Sequence, residues 1–374
     1  MHILVTTDTL SGVWTYTREL VTGLVSRGAR VTLVSFGDIF VPGETAWLDS
    51  LPGLEYCPTA FRLDWMQEGE YDFEQASAYL IELVRERKPD LLHLNHPCYG
   101  ALAVSTPRVV VAHGDFINWW KAVHGHAPKA TQWLRWYRQR LNEGMTQADA
   151  VVAPTVWMLD SIRSCYESSK RNAVIYHGRN PILFNPYGKK DDSVLAVGRM
   201  WDAGTQLGLL TQHAHSLPIS IAASNATGRS SHIPIRADVK VAIDETAVSL
   251  KGPQTEAQMR ALYSRSSTYV TTSRYEPFGI EAIEAAFSRC AIVANDIPSH
   301  REVWGDAALY FRSNDASSLA DTLRRLSEDR DLCRTYANRS FRRAHDCFTA
   351  NRMMDEYVAL YDRVLRNEAS AIAA

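Results

Sequence analysis

Arg274-Tyr275-Glu276-Pro277-Phe278-Gly279-Ile280-Glu281-Ala282-Ile283-Glu284-Ala285-Ala286 follows the β-branched run Tyr269-Val270-Thr271 and carries the apolar spacing of a helix. Proline suits the first helical position, where its missing amide costs nothing, so the order reads strand, tight turn, helix with Pro277 as the first helical residue. In open parallel α/β sheets, ligands collect at such turns, beyond the carboxyl ends of the strands. This reading puts Glu276 at the turn and Glu284 two turns into the helix. Gly279 lets a ligand approach the backbone, and the unpaired amides of a first turn attract anions. Two carboxylates flanking such amides suit a sugar, a phosphate and a ribose, because each carboxylate oxygen accepts hydrogen bonds from hydroxyls. A solvated surface helix also carries glutamates, with acids near its positive end. The coincidence of strand, proline, glycine and spacing favours a site.

The alternation of strand and helix extends outward from this stretch. Strand-like runs lie at 3–5, 31–34, 91–93, 109–112, 151–153 and 174–176, and again at 194–197, 219–222, 248–250, 269–271 and 291–294. Tyr16, Leu20 and Leu24 mark a helix over 15–26 that stops at Gly28, where a positive φ is wanted. Thr255-Glu256-Ala257-Gln258 is a capping box, and a helix starts there. The last sixty residues read as helical without a strand. Between the two series, Asn185-Pro186-Tyr187-Gly188-Lys189-Lys190-Asp191-Asp192 is polar and punctuated, the best linker in the chain. The expectation is an α/β protein of two Rossmann-like parallel-sheet domains with a cleft between them.

Composition narrows the function. In 374 residues, 46% are hydrophobic and 22% charged, enough for two buried cores. Forty basic against 42 acidic side chains leave a formal charge of −2, which argues against a nucleic-acid partner. The chain enters a strand at once, without the basic start and apolar stretch of a signal peptide, so a cytoplasmic location is expected. No apolar run is long enough to span a bilayer. Cys57, Cys98, Cys165, Cys290, Cys333 and Cys347 form no close pair and read as thiols of a reducing compartment. The histidine pairs 93/96, 124/126 and 213/215 lack the further ligands that zinc or iron needs, and no DxD-type site occurs. Neither a hydrolase elbow nor a dinucleotide glycine fingerprint is present.

Eight of the ten tryptophans, at 14, 47, 65, 119, 120, 133, 136 and 157, fall in the first 160 residues. Aromatic faces stack on sugars and aglycones, which suits an acceptor site, although core packing explains most single tryptophans. Trp119-Trp120 follows the loop of His113 and is the pair assigned to an acceptor. Trp133 to Leu141 mixes aromatics with three arginines. A helix lying on an anionic membrane fits that pattern, but a helix packing Trp133, Tyr137 and Leu141 inward is favoured.

The spacing Glu276 to Glu284 resembles the E-x7-E signature of retaining glycosyltransferases of family 4, which have the GT-B fold. Asp149 to Thr155, Val197-Gly198-Arg199-Met200, Leu262-Tyr263-Ser264-Arg265-Ser266 and Asp296 to Glu302 resemble further family segments, in family order across nearly the whole chain. The resemblance implies an N-terminal acceptor-side domain over 1–187, a donor-side domain over 188–345, and helices over 346–374 that pack back on the first. It implies that Glu276 bonds hydroxyls of the donor sugar and Glu284 those of the ribose. Gly279 and Ile280 would present amides to the diphosphate. Arg199 would neutralise the leaving group, Gly12 would belong to a loop over the donor phosphates, and His113 would lie near the reacting centre. The lysine that most members place shortly after the arginine is missing from 200–206, and Arg274 and Lys251 are the candidates to replace it.

The expected function is transfer of a sugar from a nucleotide-diphosphate donor, with retention and without a metal or other cofactor, to a sugar, lipid or small-molecule acceptor. The alternatives are a GT-B epimerase or phosphorylase, and a non-catalytic intracellular protein that binds sugar nucleotides.

Overall fold

A computed structural model describes residues 1–40, 45–66, 68–169, 171–198, 202–224 and 248–366. The chain divides into two units: Met1–Lys121, His126–Tyr176 and the segment from Ala350 form the first, Ala122–Gly125 and His177–Thr349 the second.

The first unit is built on seven parallel strands. These are β1 (His2–Asp8), β2 (Arg30–Phe36), β3 (Leu54–Pro58), β4 (Leu91–Leu94), β5 (Arg108–Val111), β6 (Ala150–Ala153) and β7 (Asn172–Val174), in the order β3-β2-β1-β4-β5-β6-β7. Every residue of β1, β4, β5 and β6 is buried, as parallel strands covered on both faces require. The order reverses between β1 and β4, which makes their carboxyl ends the switch point of the sheet. Among the described residues the helices here are α1 (Val13–Ser26), α2 (Gly69–Arg87), α3 (Phe116–His124), whose residues from Ala122 on fall in the second unit, α4 (Gln132–Gln147) and α5 (Val156–Arg163). Gly28, with φ 81°, follows α1 as its sequence demands. Gly100 and Gly144 let α4 lie directly on the turn after β4: a Cβ on Gly144 would stand 1.8 Å from the Pro97 carbonyl oxygen.

The second unit repeats the scheme with six parallel strands: β8 (Asp191–Val197), β9 (Ile219–Ser224), β10 (Val248–Gln254), β11 (Ser266–Thr271), β12 (Ala291–Asn295) and β13 (Leu309–Phe311). Their order is β10-β9-β8-β11-β12-β13, so this sheet reverses between β8 and β11. Its helices are α6 (Glu256–Arg265), α7 (Ile280–Phe287), α8 (Pro298–Trp304), α9 (Ala316–Glu328) and α10 (Arg330–Cys347). The capping box of Thr255 and Gln258 starts α6. Val194, Ile221, Val270, Val293 and Phe311 build the core together with Leu319 and Leu323 of α9. Lys190 is tied inward, donating at 2.9 Å to the carbonyls of both Tyr263 and Ser266.

Helix α11 (Ala350–Leu365) belongs to the first unit. It lies against α1 at Gly23, where a Cβ would come within 2.4 Å of Met354 Cγ. Arg27 reaches Asp355 at 2.8 Å, and Tyr357 and Tyr361 are fully buried. Two doubly wound parallel sheets with helices are the architecture that the GT-B resemblance implies.

Candidate functional site

In the second unit the candidate residues gather at the switch point. β11 ends at Thr271, and the chain then runs through Thr272 and Ser273, both buried. The turn is fixed from its flanks: Thr272 Oγ1 donates to the Thr205 carbonyl at 2.6 Å, Arg274 N to that of Gly204 at 2.9 Å, and Asn295 Nδ2 to that of Ser273 at 3.1 Å.

Helix α7 starts at Ile280, three residues later than the proline suggested. Pro277 lies in the bend before it. The bend is set by Phe278, buried against the rings of His177 (centroids 4.9 Å apart) and Phe348 (5.5 Å). Gly279 closes the bend with φ 85°, a left-handed conformation that costs glycine little. Glu284 therefore stands little more than one turn into the helix, not two. As the N-cap residue, Gly279 has no side chain to satisfy the first amides of α7, beginning at the buried Ile280. Glu276 is half-buried, with Ser273 Oγ donating to its Oε2 at 3.4 Å and Gly279 behind it.

Glu284 is held by a residue that the sequence reading missed. Arg179 Nε donates to Glu284 Oε1 at 2.7 Å, with side chains only 4% and 12% exposed. Arg179 lies over the ring of Phe184 at 5.5 Å, and its terminal nitrogen is 3.8 Å from Glu256. Burial pushes the Glu284 carboxyl above the usual range, Arg179 pulls it back, and Glu281 adds to the rise. The ion pair occupies Oε1.

Arg199 lies outside the described residues. Gly198 directly follows β8 at the switch point, its amide donating to the Ala222 carbonyl at 3.1 Å. Of the two cations considered in place of the missing lysine, Arg274 sits half-buried on the turn beside Glu276. Lys251 is exposed on β10, the outer strand, three positions from β11.

In the first unit the candidates also lie beyond the carboxyl ends of the strands. At the end of β1, Asp8 accepts from Leu10 N at 2.9 Å and Ser11 Oγ at 2.8 Å, shaping the loop that carries Gly12. Burial pushes the Asp8 carboxyl up, but the neighbouring His96 and these donors outweigh it and hold it below its ordinary value. Gly12 caps α1 with φ −62°, so its backbone does not demand glycine.

His113 follows β5 and is half-buried, its Nε2 2.8 Å from Asn95 Oδ1 and its ring 4.6 Å from that of Tyr16. Asp115 starts α3: its Oδ2 accepts from Asn118 N at 2.8 Å, while the hydroxyls of Tyr137 and Tyr166 donate to Oδ1. Burial pushes its carboxyl up. Trp119 and Trp120 are half-buried on α3 and pack around Phe116, with centroids 5.9 and 5.8 Å away. On α4, Tyr137 and Leu141 are buried and Arg135 and Arg138 exposed, the arrangement of a packed helix. Its Trp133 stacks on Tyr137.

The two units thus separate the sequence candidates into a set of carboxylates and amides around Glu276, Gly279, Ile280 and Glu284, and a set around Gly12, His113, Trp119 and Trp120. Among the described residues, no group of three or more His, Cys, Asp or Glu side chains is placed to hold a metal ion. Among them, too, no helix is long and apolar enough to cross a membrane.

Comparison with known proteins adds the following. Residues 10–182 match the family model Glycosyltransferase Family 4, and residues 244–343 match Glycosyl transferases group 1. The O-antigen chain mannosyltransferase RfbU of Salmonella typhimurium is 25% identical over 215 residues, covering 54% of this chain and 58% of that protein. The match thus spans under two thirds of that relative. Alpha-maltose-1-phosphate synthase of Mycolicibacterium smegmatis is 24% identical over 299 residues, 71% of this chain and 75% of the relative. Among solved structures, sucrose-phosphate synthase from Thermosynechococcus elongatus superposes with a TM-score of 0.79 at 16% identity, over 98% of this chain and all of that one (100%). Anabaena HepE in complex with UDP and glucose superposes with a TM-score of 0.73 at 15% identity, over 97% of this chain and 99% of that one. At such identities the structural likeness is one of fold.

Proposed function

The chain belongs to glycosyltransferase family 4, and on that premise we propose that it moves a sugar from a nucleotide-diphosphate donor to an acceptor hydroxyl, with retention and without a metal ion. The observation that carries the reading is the turn at the second switch point. Glu276 and Glu284 flank a left-handed Gly279 and the start of α7. Free helix amides favour the diphosphate, and buried carboxylates favour hydroxyl groups.

The roles proposed are those that the family resemblance implies. Glu284, held by Arg179, accepts from the ribose hydroxyls. Gly279 and Ile280 present amides to the diphosphate, and Glu276 holds hydroxyls of the donor sugar. In the first unit, Gly12 serves the donor phosphates, His113 the sugar, and Trp119 and Trp120 an acceptor ring. The bond between the anomeric carbon and the diphosphate oxygen breaks, and its electron pair leaves with the phosphate. The acceptor oxygen bonds the same face of the carbon, and its proton passes to the departing phosphate oxygen. Fixed positive groups stabilise the charge that builds there. Arg199 is the motif-matched cation, with a planar fork suited to two phosphate oxygens. Arg274, on the turn beside Glu276, is the second cation proposed to act on the diphosphate.

The test is a panel of sugar nucleotides varied in base and sugar, with and without a chelator, read by release of free nucleoside diphosphate and by thermal shift. Release that needs an added acceptor and ignores the chelator supports the reading. Thermal stabilisation without release under any condition supports a second reading, a sugar-nucleotide-binding protein. The missing lysine at 200–206 favours that alternative.

A further inference from the structure

We propose that Asn95 is a positioning residue that locks His113 in the Nε2-protonated tautomer, and that His93 and Tyr361 support it from behind. The assignment follows from which atoms can donate. Asn95 Nδ2 lies 2.7 Å from the main-chain oxygen of Thr6, which only accepts, and 3.3 Å from Thr17 Oγ1. This fixes the orientation of the amide, and Asn95 N, donating to Thr6 Oγ1 at 3.0 Å, fixes its backbone.

Asn95 Oδ1 can therefore only accept. It faces two imidazole nitrogens, His113 Nε2 at 2.8 Å and His93 Nε2 at 3.1 Å. Each must carry its hydrogen, for otherwise two lone pairs would meet inside the protein. His93 is fully buried, and burial lowers its imidazole to about 3, so it is neutral. With the proton on Nε2, its Nδ1 accepts from the hydroxyl of Tyr361 at 2.7 Å. Tyr16 OH, 3.2 Å from His93 Nε2, shares that hydrogen.

One chain of hydrogen bonds thus runs from Tyr361 on α11 through His93 and Asn95 to His113. It leaves Nδ1 as the basic atom of His113. Because His113 Nε2 donates in both charge states, Asn95 orients the ring without opposing its protonation. The role of His113 toward a sugar rests on the proposed function, but the tautomer does not.

The test is long-range proton–nitrogen NMR of the histidine side chains in the full chain, with no donor added. His113, identified by its absence from His113→Gln, should show a protonated Nε2 and a lone pair on Nδ1 above its titration. His93 should show the same tautomer and stay neutral down to pH 5. Asn95→Ala should return His113 to a mixture of tautomers. Asn95→Asp should raise its titration midpoint, since a carboxylate would replace the amide oxygen. A wild-type His113 protonated on Nδ1, or a tautomer unchanged in Asn95→Ala, overturns the proposal. The wild-type spectrum decides the first point even where a variant fails to fold. A correct spectrum from a protein that transfers no sugar would leave this assignment standing and count only against the proposed activity.

Discussion

Arg179 Nε lies 2.7 Å from Glu284 Oε1, joining residues 105 positions apart in the chain. The guanidinium is almost wholly out of solvent, so its charge depends on its carboxylate partners, Glu284 at hydrogen-bond distance and Glu256 at 3.8 Å. Removing one member of a buried pair takes away the closest compensation of the other, which costs up to about 3–5 kcal/mol where nothing else replaces it. Glu284 can escape part of that cost by taking a proton, whereas Arg179 cannot. Glu284→Gln should therefore destabilise the protein more than Arg179→Gln at neutral pH, measured by denaturant unfolding. Equal losses would mean that the pair is not coupled as described.

The same carboxyl gives two pH trends of opposite sign. Its folded pKa lies above the usual value, chiefly through burial. The folded state then holds a proton that the unfolded state has lost, and Glu284 takes stability away as pH rises from the ordinary carboxyl range to the raised one. Binding of ribose hydroxyls by the ionised carboxylate should strengthen over that same interval. Unfolding and nucleotide titrations between pH 4 and 7 should show Glu284→Gln losing less stability as pH rises than the wild type, and gaining less nucleotide affinity over the same interval.

Gly279→Ala should cost about 1–2 kcal/mol, because φ 85° is left-handed and strained for any residue with a Cβ. The added carbon would also meet Glu276 Cγ at 3.3 Å, so turnover should fall with stability. Gly12→Ala is the contrast. Its φ is −62° and nothing lies within 4 Å of the new carbon, so stability should change by less than about 0.5 kcal/mol.

Gly144→Ala tests the seat of α4. The new Cβ would stand 1.8 Å from the Pro97 carbonyl oxygen, and both sides of that contact are backbone. A loss of about 2 kcal/mol or more is expected in thermal or denaturant unfolding.

The fold was largely legible because buried parallel strands write themselves as apolar runs. Two strands escaped. β3 is half-exposed and ends in a proline, and β13 has only three residues, too short for a pattern. β7 lies at Asn172–Val174, two residues before the run that suggested it. The start of α7 was misplaced because proline is equally at home in the bend before a helix, and only the left-handed Gly279 says which. In the candidate site, the glutamates stood out by their spacing around Pro277 and Gly279, and His113 by its resemblance to a family segment. Arg179 and Asn95 were not, since their meaning comes from partners that only the fold brings near. Asn95 was visible only as the residue between two histidines, in a stretch weighed for metal binding.

Calorimetric titration with UDP, GDP and ADP, on the wild type and on Glu284→Ala, tests the central claim most directly. The account predicts that at least one of the three binds and that the substitution weakens it by roughly 5- to 150-fold, the loss expected for a buried acceptor. A folded wild type that binds none of them, or an affinity unchanged in folded Glu284→Ala, would contradict it.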